Sequence, residues 1–147
     1  MREILFRGKR VDNGEWLYGF YHNETSIESA ASDRKITHHH IYTQDFDLLV
    51  DPDTVGQYTG LKDKKGTKIF EGDIIKIRKD TDFYGKPITF KGVVFFNEDE
   101  CGFEIGKNGM KGYCISSLAS YIFKSSATEI IGNFYDNPEL LGKMEEK

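Results

Sequence analysis

Only two of the 147 residues are cysteine, Cys101 and Cys114. Without an export signal both read as reduced thiols of a cytosolic protein, and no disulfide framework is expected. The opening residues, Met1 to Arg7, contain no apolar run of signal-peptide length. No apolar segment anywhere approaches the roughly 20 residues of a membrane span. Excess charge of one sign is missing as well. Lys and Arg number 20 against 24 Asp and Glu, a formal net charge of −4. The first 73 residues carry ten basic and thirteen acidic side chains, and the remainder ten and eleven. A dense basic face of the kind that neutralises phosphate is therefore not expected from bulk charge. Proline is scarce, with three residues, and helical periodicity is weak throughout.

Aromatics and glycines are abundant: eight Tyr, eleven Phe, Trp16 and fifteen Gly. Aromatic side chains suit half-buried pleated surfaces, and the glycines mark corners between short apolar runs. The sequence predicts strands at Ile4–Arg7, Glu15–His22, Ile41–Thr43, Phe46–Val50, Thr54–Tyr58 and Ile74–Arg78. It predicts further strands at Ile88–Asn97 (the longest), Gly102–Ile105, Tyr113–Ile115, Tyr121–Phe123 and Glu129–Phe134. Trp16, Tyr18 and Phe20 share one face at period two. Asn13-Gly14 and Lys107-Asn108-Gly109 are hairpin signals. Asp63-Lys64-Lys65-Gly66 has the Asp and Gly of a type I turn, and Asp51-Pro52-Asp53 is a second turn. Residues 23–37 read as a long loop or a short helix. Asn137-Pro138 marks the cap and first position of a short C-terminal helix. The expected fold is mainly β: a small SH3-like barrel or pseudobarrel over residues 59–136, an additional N-terminal β layer over 1–58, and the helix and tail over 137–147, all within one domain.

Three segments carry a family resemblance across the chain. They are Met1-Arg2-Glu3-Ile4-Leu5-Phe6-Arg7-Gly8, the central stretch from Gln57-Tyr58-Thr59-Gly60-Leu61-Lys62-Asp63 through Phe70-Glu71-Gly72-Asp73-Ile74-Ile75, and the closing Ile130-Ile131-Gly132-Asn133-Phe134-Tyr135-Asp136-Asn137-Pro138-Glu139-Leu140-Leu141. Together they resemble the YopX-like proteins, small proteins encoded by phages and prophages. The resemblance implies an all-β fold and a phage or prophage origin. It implies no activity and carries over no catalytic residue. The central signature also has a structural reading, in which its glycines and Asp63 set turns while Tyr58, Leu61, Ile69, Phe70 and Ile74 fill a core.

Candidate chemistry is sparse. In an extended segment His38 and His40 of the run His38-His39-His40 share a face, half of a transition-metal site that His22 or Asp45 could complete. With no Cys or carboxylate at ligand spacing nearby, a solvated strand end is the ordinary reading, and no metal is expected. Asp45, Asp47, Asp51 and Asp53 lack the spacing of a calcium loop and read as solvated turns. Cys101 follows Glu98-Asp99-Glu100, a setting that disfavours a thiolate, and Cys114 reads as a core thiol. No Gly-x-Ser-x-Gly elbow occurs. Gly106, Gly109 and Gly112 precede no Walker Lys-Ser/Thr. The expectation is a protein that is not an enzyme and needs no cofactor. Arg7, Lys9 and Arg10, and Lys62, Lys64, Lys65 and Lys68 beside an exposed Tyr58, are the residues offered for partner or single-strand contact. Protein–protein contact or self-assembly in the host cytoplasm ranks first. Binding of nucleic acid by a small barrel is the alternative.

Overall fold

The computed structural model describes residues 1–29, 34–81, 84–106, 114–117 and 128–142. The expected Lys107–Gly109 turn and the Tyr121–Phe123 strand lie outside these residues. The chain divides into two compact units, Met1–Tyr58 and Thr59–Lys147, and the described residues are mainly β in both.

In the first unit the strands are β1 (Phe6–Lys9), β2 (Trp16–Ile27), β3 (Lys35–Tyr42) and β4 (Asp47–Leu49), followed by the start of β5 (Gly56–Lys62). Their order is β4-β3-β2-β1-β5, and every ladder among them is antiparallel. The turn from Val11 to Gly14 joins β1 to β2. Its last residue sits at φ +72°, a left-handed backbone conformation that glycine adopts without cost. Asp51 caps a single 3-10 turn, Pro52–Thr54, by accepting from the Asp53 N–H. Thr54 Oγ1 then accepts from the Lys9 N–H at 2.8 Å, tying that turn to β1. Ile41 and Val50 are buried here.

Within the expected loop or short helix of residues 23–37, residues 23–27 and 35–37 are the main departure from expectation, and 30–33 lie outside the described residues. β2 continues to Ile27 and pairs residue by residue with β3, from Phe20↔Tyr42 to Ile27↔Lys35. At 12 residues β2, not the segment around Ile88–Asn97, is the longest strand among the described residues. Its outer half, Asn23–Ile27, is exposed on both faces. It therefore lacks the apolar alternation by which a strand is recognised, and it is held by ladder hydrogen bonds and cross-strand pairs such as Thr25–Thr37.

In the second unit β5 ends and is followed by β6 (Lys68–Phe70), β7 (Asp73–Thr81), β8 (Pro87–Asn97), β9 (Gly102–Gly106), β10 (Cys114–Ser117) and β11 (Thr128–Asn133). Five of these form an antiparallel sheet in the order β10-β9-β8-β7-β11. Ile69, Ile75, Ile77, Val94 and Ile105 make its core, with Leu61, Phe103 and Ile130 against them. The alternation Ile75, Ile77 against Lys76, Arg78 buries the first pair and leaves the second at the surface, as period two requires.

The central signature is built into this core. Asp63 Oδ1 accepts from the N–H groups of Lys65 and Thr67, and its Oδ2 from that of Ile130. Asp73 Oδ2 accepts from the Phe70 N–H at 2.8 Å. Gly72 has φ +79°, and a methyl group there would lie 2.7 Å from the Tyr135 ring.

Two finer expectations are corrected. Among the described residues no barrel closes: β10 pairs with β9 and β11 with β7, which leaves the two ends of the five-stranded sheet unjoined. The C-terminal helix is a 3-10 turn, Pro138–Leu141, and Asn137 does not cap it with its side chain. The Asn137 carboxamide oxygen instead accepts from the Asn133 N–H, closing the turn behind β11. No helix is long and apolar enough to cross a membrane among the described residues.

Candidate binding face and a His–His–Asp cluster

The β2–β3–β4 register sorts side chains onto two faces. Residues directly opposite one another point the same way, and so do residues two apart along a strand. Phe20 opposes Tyr42, which opposes Asp47; His22 opposes His40, which opposes Leu49; Glu24 opposes His38. These eight residues share one face. The other carries Tyr21, His39, Ile41 and Leu48, with Ile41 fully buried. Gly19 lies on that packed side. A β-carbon there would collide with the Tyr42 carbonyl oxygen, so the close approach of β2 to β3 needs a glycine.

The first face is open. Phe20 is 62% exposed, Tyr42 51% and Tyr18, two residues before Phe20, 50%. Leu49 is also exposed. Solvated tyrosines and phenylalanines concentrated on one sheet face are the kind of surface that marks a contact site. Lys9 and Arg7 lie on the same side of β1, opposite Trp16 and Tyr18, but Arg7 is only 6% exposed, so the predicted contact residue is a buried one. Both cations lie over the Trp16 ring, Arg7 Cζ at 4.7 Å and Lys9 Nζ at 5.5 Å.

Within this face His22, His40 and Asp47 converge. Each offers one ligand atom, and these atoms lie within 4.8 Å of one another. His22 Nε2 is 3.0 Å from Asp47 Oδ1, and His40 Nδ1 is 3.5 Å from the same oxygen. The two imidazoles stack, with centroids 5.0 Å apart and planes 12° from parallel. His40 Nε2 faces Glu24 Oε1 at 3.8 Å. Both His40 nitrogens are buried and make no hydrogen bond.

The expected His38 and Asp45 are therefore not the partners. His38 meets His40 edge-on at 6.5 Å. Asp45 sits in the turn from Thr43 to Phe46, where its N–H donates to Thr43 Oγ1. His39 points to the other face and shares a 2.6 Å hydrogen bond with the Tyr21 hydroxyl. Asp51 is the cap already described. No metal-competent group of His, Cys, Asp and Glu includes Asp45, Asp51 or Asp53 among the described residues. The signal for Asp47 was the turn Thr43–Phe46: a hairpin loop of that length sets Asp47 opposite Tyr42 and so beside His40.

The basic candidates are distributed differently. Tyr58 is 4% exposed, so its ring fills the core and is not offered for stacking. Arg10 forms a fork with the Asp12 carboxylate and approaches Glu15, and the hydrogen bond with Arg10 lowers the Asp12 pKa. Lys64 and Lys65 both reach Glu129, at 2.8 and 2.7 Å. These hydrogen bonds pull the Glu129 carboxyl from 4.5 down to about 2. Lys62 is exposed and Lys68 half-buried. Cys101 is an exposed free thiol in the β8–β9 turn, with its Sγ 3.4 Å from the Glu98 carbonyl oxygen; the Cys114 side chain lies outside what is described.

A family model described as YopX protein matches residues 5–142. No curated protein matches. Among solved structures, the crystal structure of protein EF1440 from Enterococcus faecalis is similar, with 20% identity, a TM-score of 0.50, and coverage of 96% of this chain and 99% of that one. At that identity the likeness concerns the fold alone.

Proposed function

This chain belongs to the YopX family, and from that premise we propose that it is a phage-type accessory protein without enzymatic activity, acting by protein–protein contact in the cytoplasm of a bacterial host. The supporting observation is the open face of β2 and β3, where Tyr18, Phe20 and Tyr42 stand half or more exposed. Burying such side chains contributes about 1.5–3 kcal/mol for a large apolar group, and aromatic anchors dominate contact energies. The acids Glu24 and Asp47 beside them favour a protein over a phosphate backbone. The single-strand alternative is the weaker reading: Tyr58 is buried, and Arg10, Lys64 and Lys65 are engaged by carboxylates.

The test is a Phe20→Ser/Tyr42→Ser double variant. Light scattering across a concentration series separates self-assembly from capture of another protein. In either case the wild type forms a species that the variant does not. A monomeric wild type whose captured partners from infected bacteria are the same as the variant's would overturn the reading.

A further inference from the structure

We propose that His22, His40 and Asp47 form a binding site for one divalent transition ion of the zinc class. This inference does not rest on the contact reading above. Three features carry it. The first is donor chemistry: two imidazole nitrogens and one carboxylate oxygen suit zinc, cobalt or nickel, whereas calcium and magnesium seek all-oxygen shells. The second is spacing. Bonds of about 2.0–2.1 Å in a tetrahedral site place ligand atoms about 3.3 Å apart. The separations from Asp47 Oδ1 to His22 Nε2 and to His40 Nδ1 are 3.0 and 3.5 Å, on either side of that edge length.

The third feature is His40 itself. Its side chain is 14% exposed, against 45% for His22 and 43% for Asp47. Its two buried nitrogens accept and donate no hydrogen bond, a costly state for an imidazole. An ion on Nδ1 satisfies one of them. The other, Nε2, faces Glu24 Oε1, the carboxylate that a metal-bound histidine commonly uses to fix its ring. Binding requires the stacked rings to turn about χ2 so that their lone pairs converge, and that torsion has a broad, soft profile. Three protein ligands leave at least one position facing solvent for water or an outside donor.

The ladder explains why these three residues meet. His22 and His40 are direct cross-strand partners, and Asp47 is one row along on β4. An ion at this point links three adjacent strands.

The experiment uses the full chain without a histidine tag and titrates it with Co²⁺ and Zn²⁺. Co²⁺ gives visible absorption whose intensity reports coordination number. The expected result is one ion per chain, a low-coordinate Co²⁺ spectrum bleached by Zn²⁺, and a rise in the unfolding midpoint with Zn²⁺ concentration. His22→Ala and Asp47→Asn alter exposed side chains and keep the metal-free midpoint, yet weaken binding by more than about tenfold. His38→Ala leaves binding unchanged. Absence of stoichiometric binding, equal binding by His22→Ala and Asp47→Asn, or an equal response to Ca²⁺ or Mg²⁺ would each overturn the proposal.

Discussion

Single side chains do most to fix the turns. Asp63 is 8% exposed, and its carboxylate accepts three backbone N–H groups from two separate segments. Asp63→Ala strands those donors, so a loss of about 1–3 kcal/mol in denaturant unfolding is expected. Gly72 combines φ +79° with the Tyr135 ring beside it. Gly72→Ala adds left-handed strain to a steric clash and should cost more than about 1 kcal/mol by the same measurement. Glu129 gives a pH signature. Its pKa falls on folding, from 4.5 to about 2. The folded state therefore resists protonation, and the contribution is complete above pH 4.5 and fades as pH drops toward about 2. Thermal melts should show wild type exceeding Glu129→Gln at neutral pH, with the gap closing through that window. Added salt should narrow the gap at neutral pH, since the pair is partly solvated.

At the level of elements, the β2–β3 hairpin joins stability to surface. Gly19 permits the close approach of its two strands, and Gly19→Ala should lower the unfolding midpoint while Phe20→Ser/Tyr42→Ser costs less than about 1 kcal/mol. In the second unit Ile77 is fully buried among Ile69, Ile75, Val94 and Ile105, and Ile77→Ala should cost about 2–5 kcal/mol. The contrast between these segments also explains what the sequence disclosed. β7 alternates Ile with Lys and Arg, and that pattern survives into the structure unchanged. The outer half of β2, Asn23–Ile27, is solvated on both faces and carries no such pattern; only its pairing with β3 makes it a strand. The His–His–Asp cluster was legible in part for the same reason. Period two puts His38 and His40 on one face. That His40 meets His22 and Asp47 is a matter of ladder register, which arises from long-range pairing and not from any local spacing. Tyr58 looked exposed beside its lysines because the sequence shows neighbours along the chain and not the layer that covers them.

At the scale of the whole molecule, acidic and basic side chains are close in number, 24 against 20, and two of the basic clusters meet carboxylates among the described residues. Arg10 with Asp12 and Glu15, and Lys64 and Lys65 with Glu129, engage three of the seven sequence-predicted cations with carboxylates. Mobility assays with single-stranded DNA and RNA at low salt should show no shift. The molecule instead presents half-exposed aromatics on one sheet face of its first unit, and membership of the YopX family sets the biological frame in which a partner is sought. The most direct measurement of that idea is site-specific photo-crosslinking in infected bacteria, with a photoreactive phenylalanine analogue at Tyr42 or at Lys62. A discrete protein adduct from position 42, and none from position 62, is predicted. Adducts from position 62 alone, or from neither position, would contradict it.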